Sequence, residues 1–142
     1  MKKKYLIIIA NYYEDIANGL LDSALKLIPK SNIIKIIKVP GVFEIPVTIS
    51  KNIKKYDAFL ALGCVIKGET PHFDFISQAS TNAIMDLSIN SQKPIGNGII
   101  TCLNMRQAKA RKRKGAEAAQ AVISILSQKW ELILIQKIIQ GL

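Results

Sequence analysis

Apolar residues along this chain fall into two kinds of stretch that alternate from one end to the other. Tyr5–Ala10, Asn32–Val39, Asp57–Ile66 and Pro94–Cys102 are short and apolar almost throughout. Between them lie longer segments in which apolar residues recur at three- and four-residue intervals. The first kind predicts strands and the second amphipathic helices. Glu14–Ile28 reads as a helix with Ile16, Leu20, Leu21, Ala24 and Leu27 on one face. Pro40-Gly41 ends the second strand, and Glu44–Lys54 is predicted to be a short helix with Pro46 in its first turn. Phe73–Asn90 reads as a second long helix, and Asn104–Ser127 as a last helical segment interrupted near Gly115.

Strands that are apolar on both faces are strands covered on both faces. With helices between them, they imply an α/β protein, a three-layer α/β/α sandwich around a central parallel four-stranded sheet with right-handed crossovers, flavodoxin-like in class. No internal repeat and no linker divides the chain, so residues 1–142 are expected to form one domain. Ligands of such sheets sit outside the carboxyl ends of the strands. Here those ends are expected to be Asn11-Tyr12-Tyr13, Pro40–Glu44, Gly63–His72 and Gly96-Asn97-Gly98 with Thr101 beyond. The unusual residues collect on that rim.

Composition changes the picture in three places. A hydrophobic content of 49% is high for 142 residues and points to a well-covered sheet or to surface hidden in an oligomer. The net charge of +10 raises nucleic acid as a partner. Most of it is scattered lysine, however, and the one dense cluster, Lys109–Lys114, has no interleaved aromatic residue on which bases could stack. Nucleic acid is therefore not expected. Cys64 and Cys102 lie in apolar runs without metal-ligand spacing, as for reduced, buried thiols of a cytoplasmic protein, and no metal site is expected. Met1–Lys4 followed by Tyr5–Ala10 imitates a signal peptide. The apolar run is too short and is broken at Asn11–Asp15, so export is not expected. No apolar stretch reaches the roughly 20 residues needed to span a bilayer, so no membrane is expected as a partner either.

The most informative segment is Gly63-Cys64-Val65-Ile66-Lys67-Gly68-Glu69-Thr70-Pro71-His72-Phe73-Asp74. It closes an apolar strand with a turn that carries backbone N–H groups, a hydroxyl and the only histidine in the protein. Those groups suit an anionic substrate and a proton transfer. Taken alone, each has a plainer reading. Tyr12 could simply pack at a strand end, Glu44 could be a first-turn acid favoured by the helix dipole, and His72 could be structural. Nothing marks Cys64 as a nucleophile, because the only histidine lies eight positions on.

Four collinear stretches resolve these alternatives by resemblance. Val39-Pro40-Gly41-Val42-Phe43-Glu44-Ile45-Pro46, Gly63–Asp74, Lys93-Pro94-Ile95-Gly96-Asn97-Gly98-Ile99-Ile100-Thr101, and Gln107-Ala108-x-x-Arg111 with Lys114-Gly115-x-Glu117-Ala118-Ala119 resemble the lumazine synthase family from about Lys4 to Leu126. The resemblance implies a transferase that condenses 5-amino-6-(D-ribitylamino)uracil with 3,4-dihydroxy-2-butanone 4-phosphate. Phosphate and water are lost, and no metal or organic cofactor takes part. It implies a homo-oligomer of pentamers, some of them stacked into decamers or icosahedral shells, with active sites between subunits, and riboflavin synthase as a partner.

By the same resemblance His72 is the proton-transfer residue, and Tyr12 stacks on the pyrimidine. Val42, Phe43 and Glu44 bind the ribityl chain or ring carbonyls through backbone donors, which leaves the Val42 side chain free to vary. Cys64, Val65 and Ile66 present main-chain groups to the uracil. Glu69 and Thr70 contact the phosphate-bearing ketone, Arg111 clamps its phosphate from the neighbouring subunit, and Lys114 shares that anion. Lys112 and Arg113 are expected to be solvated charges or weak steering groups. The chain departs from the family pattern at Asn97, where many relatives carry a stacking Phe; asparagine can instead hydrogen-bond the ring. Tyr13 stands where many relatives have Asn and receives no role. The segment from Arg111 to Gly115 is shorter than usual, and little precedes the first strand. Residues 128–142 form an atypical extension whose Trp130, Leu132, Ile133, Leu134, Ile135, Ile138 and Ile139 are expected on a continued final helix packed on a neighbour.

Overall fold

The computed structural model describes residues 2–141, with the side chains of residues 129–133 left aside. Its strands are β1 (Lys4–Ala10), β2 (Ile33–Val39), β3 (Ala58–Ile66) and β4 (Ile95–Cys102). All pair in parallel, in the order β2-β1-β3-β4. Between and after them come α1 (Glu14–Leu27), α2 (Ile45–Asn52), α3 (His72–Ser91), α4 (Met105–Ala110) and α5 (Lys114–Gln140). The segment that imitated a signal peptide is thus a central strand.

The two faces of the sheet are read directly from residue parity. Tyr5, Ile7 and Ile9 of β1 join Leu60, Leu62 and Cys64 of β3 in a core closed by Ile16, Ala17, Leu20 and Ala24 of α1 and Ala118, Ala119 and Val122 of α5. Leu6, Ile8 and Ala10 join Phe59 and Ala61 on the opposite side, under Ile45 and Ile49 of α2 and Ile84 of α3. Each fully buried leucine or isoleucine contributes about 1.5–3 kcal/mol, so the unbroken Leu6-Ile7-Ile8-Ile9 run, buried on both faces, anchors three layers at once.

Three expectations need correction. Complete coverage holds for β1 and β3 but not for β2, an edge strand whose Ile33 and Ile36 are each 41% exposed. On α1 the buried face takes Ala17 in place of Leu27; Leu27 is exposed in the last turn, and Ile28 just beyond it turns inward instead. The break in the last helical segment falls at Arg111–Arg113, ahead of Gly115, which lies in the first turn of α5. Gly115 looks like a breaker in sequence, yet a Cβ there would collide with the Leu20 carbonyl of α1. It is a point of close helix approach. The Ser23 hydroxyl seals that contact, lying 2.8 Å from the Lys112 carbonyl oxygen and accepting the Ala116 N–H at 3.0 Å.

Beyond Ser127, α5 continues as a helix to Gln140, with Leu134, Ile135, Ile138 and Ile139 exposed. Trp130, Leu132 and Ile133 lie outside the described side chains. No helix among the described residues is long and apolar enough to cross a membrane.

Candidate active site

A cleft of about 590 Å³ opens over the carboxyl ends of the strands, within the size range of small-molecule sites. It is lined by Tyr12 and Tyr13 after β1, by Gly41, Val42, Phe43 and Glu44 after β2, by Cys64, Val65 and Ile66 at the end of β3, and by His72 and Ile76 on α3. Eight of the residues expected from the sequence therefore share one cavity. Helices α1 and α2 leave opposite faces of the sheet at this point, which opens the crevice between their starts.

The turn after β2 is held by Asn11, whose N–H donates to the Val39 carbonyl at 3.2 Å, and by Glu44, whose N–H donates to the Gly41 carbonyl at 3.2 Å. Val42–Glu44 form a single 3-10 turn that leads into α2, with Pro46 in the first helical turn as expected. The side chain of Val42 is not free to vary. It is 6% exposed and packed in the core beneath the cleft, where it closes the space above Gly63. Phe43, by contrast, is exposed at the lip. Tyr12, 76% exposed, supplies a second aromatic surface, and its ring meets that of Tyr13 edge-on with centroids 4.9 Å apart.

At the end of β3 the Cys64 thiol is buried and pushed up to about 12, first by that burial and then by the neighbouring Cys102 thiol. Both cysteines are free and buried. A thiol so shifted carries no thiolate near neutrality, so the cleft floor is uncharged and unreactive. His72 is exposed and opens α3, with its backbone N–H 3.4 Å from the Thr70 hydroxyl oxygen. Thr70 and Glu69 lie on the exposed turn beside it, outside the cleft lining.

The remaining expected residues lie elsewhere. Arg111 and Lys114 line a second cleft, about 410 Å³, together with Thr101, Arg113 and Glu117 on the outer β4 side. Arg113 is exposed and borders this recess, and the stem of Lys112 packs against Gly19 of α1. The placing of Gly96-Asn97-Gly98 at a carboxyl end is overturned by the register, which pairs them with Leu60, Ala61 and Leu62 inside β4. The glycines mimic a turn signal, but a Cβ at Gly96 would collide with the Ala118 carbonyl, so they admit α5 against the sheet. Asn97 is exposed on that edge strand, its side-chain oxygen accepting the Ile99 N–H at 3.1 Å.

Besides Gly41, which lies on the expected Pro40–Glu44 rim, two lining residues carry no role assigned from the sequence. Ile76 follows His72 by four positions, the helical interval that puts both on one face. Tyr13 completes an aromatic doublet at the strand end. Both signals were available.

The arrangement can hold a flat, uncharged ring between aromatic and apolar surfaces beside one imidazole, and it offers an anion a separate cationic recess. Residues 2–129 match the family described as 6,7-dimethyl-8-ribityllumazine synthase. A protein of that name from Agrobacterium fabrum is 40% identical over 93% of this chain and 99% of its own length. One from Methylorubrum populi is 43% identical over 89% and 82%, and one from Nitrobacter hamburgensis is 40% identical over 89% and 86%. With the fold, the rim cleft and a match over nearly the whole sheet-and-helix body in agreement, the chain belongs to the 6,7-dimethyl-8-ribityllumazine synthase family.

Proposed function

We propose that this protein condenses 5-amino-6-(D-ribitylamino)uracil with 3,4-dihydroxy-2-butanone 4-phosphate to form 6,7-dimethyl-8-ribityllumazine, the penultimate step of riboflavin biosynthesis. The observation that carries the reading is the juxtaposition of Tyr12, Glu44, the Cys64–Ile66 strand end and His72 in one cleft. Tyr12 stacks on the pyrimidine, while Val42, Phe43 and Glu44 with Cys64, Val65 and Ile66 hold the ribityl chain and ring. The amine attacks the ketone to give an imine and release water, phosphate leaves by elimination, and ring closure expels a second water. His72 moves protons between the substrates and the leaving phosphate oxygen. Holding two substrates face to face removes much of the entropic barrier.

The phosphate is bound by Arg111, with Glu69, Thr70 and Lys114. Arg111 and Lys114 lie in a cleft that His72 does not line, which favours a site completed by a second copy. Asn97, on the same outer edge, would reach the ring from that copy too. We therefore assign the protein to a cytoplasmic homo-oligomer built of pentamers, each chain one domain, with the exposed apolar residues of the α5 extension covered by a neighbour. Riboflavin synthase is the partner that consumes the product. Mixing the protein with both substrates tests the reading: the fluorescence of the lumazine should grow, and a protein that yields none would end it.

A further inference from the structure

Tyr12 presents a difficulty for any stacking role. A tyrosine ring that is 76% exposed at a turn is free to rotate away from the cleft, and a platform that must first be ordered loses affinity to that ordering. One described neighbour constrains it. The Tyr13 ring meets Tyr12 at 4.9 Å between centroids and 83° between planes, the edge-to-face arrangement that aromatic quadrupoles favour. Tyr13 is itself well held. It packs against the core cluster that includes Ile16, Cys64 and Cys102, and its carbonyl accepts the Ala17 N–H at 2.9 Å.

The local chemistry of position 13 also points away from a purely structural role. Tyr13 is the N-cap of α1 and makes no side-chain cap bond there. Asn, Asp or Ser at an N-cap would satisfy an orphan N–H and stabilise the helix, so tyrosine is a poor choice for the helix alone. Burial, then Tyr12, then Cys64 pushes the Tyr13 phenol up, which leaves an uncharged ring against an uncharged floor.

We propose that Tyr13 is a positioning residue: its core-anchored ring holds the exposed Tyr12 ring over the cleft as a platform for the flat heterocycle. The inference rests on the cleft being the ribitylaminouracil site. The test compares Tyr13→Leu, which keeps an apolar body against the core but offers no aromatic ring, with Tyr13→Phe, which keeps the ring. Tyr13→Leu should raise the KM for the uracil roughly 3- to 10-fold, the range an aromatic pair contributes, with kcat and the KM for the phosphate substrate nearly unchanged. Tyr13→Phe should restore wild-type values. In a Tyr12→Ala background, Tyr13→Leu should add almost nothing, because a residue acting through Tyr12 has nothing left to position. A full additional loss in that background, or a loss confined to kcat, overturns the proposal while leaving the cleft assignment intact. A wild-type protein that neither binds nor turns over the uracil overturns both.

Discussion

The two clefts of this chain differ in chemistry as much as in position. The rim cleft is mostly apolar and aromatic, with one imidazole and one carboxylate. The outer recess holds Arg111, Arg113 and Lys114 against a single Glu117. A flat neutral ring suits the first and a phosphate the second, yet the proposed reaction joins the two substrates through two new C–N bonds. If the proposed function holds, one copy would carry two half-sites in separate clefts. Symmetric repetition of a heterologous contact is the simplest way to bring unlike halves together.

The largest expected effect tests that division directly. His72→Ala should lower kcat by about 10²- to 10⁴-fold, the usual contribution of a positioned acid–base group, with binding of the uracil retained. Arg111→Ala should leave kcat less affected and raise the KM for the phosphate substrate by roughly 10- to 100-fold, as for loss of a charge-assisted contact. Unfolding and reassembling the two variants together should recover part of the wild-type rate, since some mixed sites combine an intact His72 with an intact Arg111. If the mixture stays as slow as its components, both half-sites belong to one copy and the comparison fails.

A smaller effect concerns what holds the two regions apart. The outer recess is attached to the sheet through α5, whose first turn presses on α1 at Gly115 and Ser23. Gly115→Val should destabilise by about 3 kcal/mol, at the upper end for overpacking, because backbone cannot move aside as a side-chain tip can. Gly68 has nothing within 4 Å of a built Cβ, and Gly68→Ala should shift stability by less than about 0.5 kcal/mol. Thermal melts of the two variants check the difference. Equal melting temperatures would remove Gly115 from its assigned role.

These residues also show what was legible in the sequence. Runs such as Leu6–Ile9 and Phe59–Leu62 announce strands in any context, because both of their faces must be buried. The order of layers followed from alternation alone, and the rim cleft followed from the order. What could not be read were the uses of small residues. Gly96 and Gly115 carry the signature of turns, but they serve close packing between elements far apart in sequence, which no local pattern records. The exposure of β2 was hidden for a related reason. An edge strand and a central strand can share the composition Ile-Ile-x-Ile-Ile, and only the sheet order distinguishes them.

The subtlest difference between the two regions is electrostatic and appears only at high pH. The floor of the rim cleft stays uncharged because Cys64 keeps its proton: burial raises the thiol from 9.0 to about 12. The sign follows from linkage. In the window between those values the folded protein retains a proton that the unfolded chain has released. The stability associated with Cys64 is therefore fully present below about pH 9. It should fall as pH rises from there toward 12, through the folded value. Cys64→Ala removes that titrating group, so its denaturation midpoint should decline less steeply than wild type across the same window, whatever the substitution costs at neutral pH. Alkylation adds a kinetic check, because the thiolate is the nucleophile. Iodoacetamide at pH 8 should modify Cys64 far more slowly in the folded protein than in urea. Rapid labelling of the native state would mean that the floor of the cleft carries charge, and the contrast between an uncharged cleft floor and a cationic recess would lose its basis.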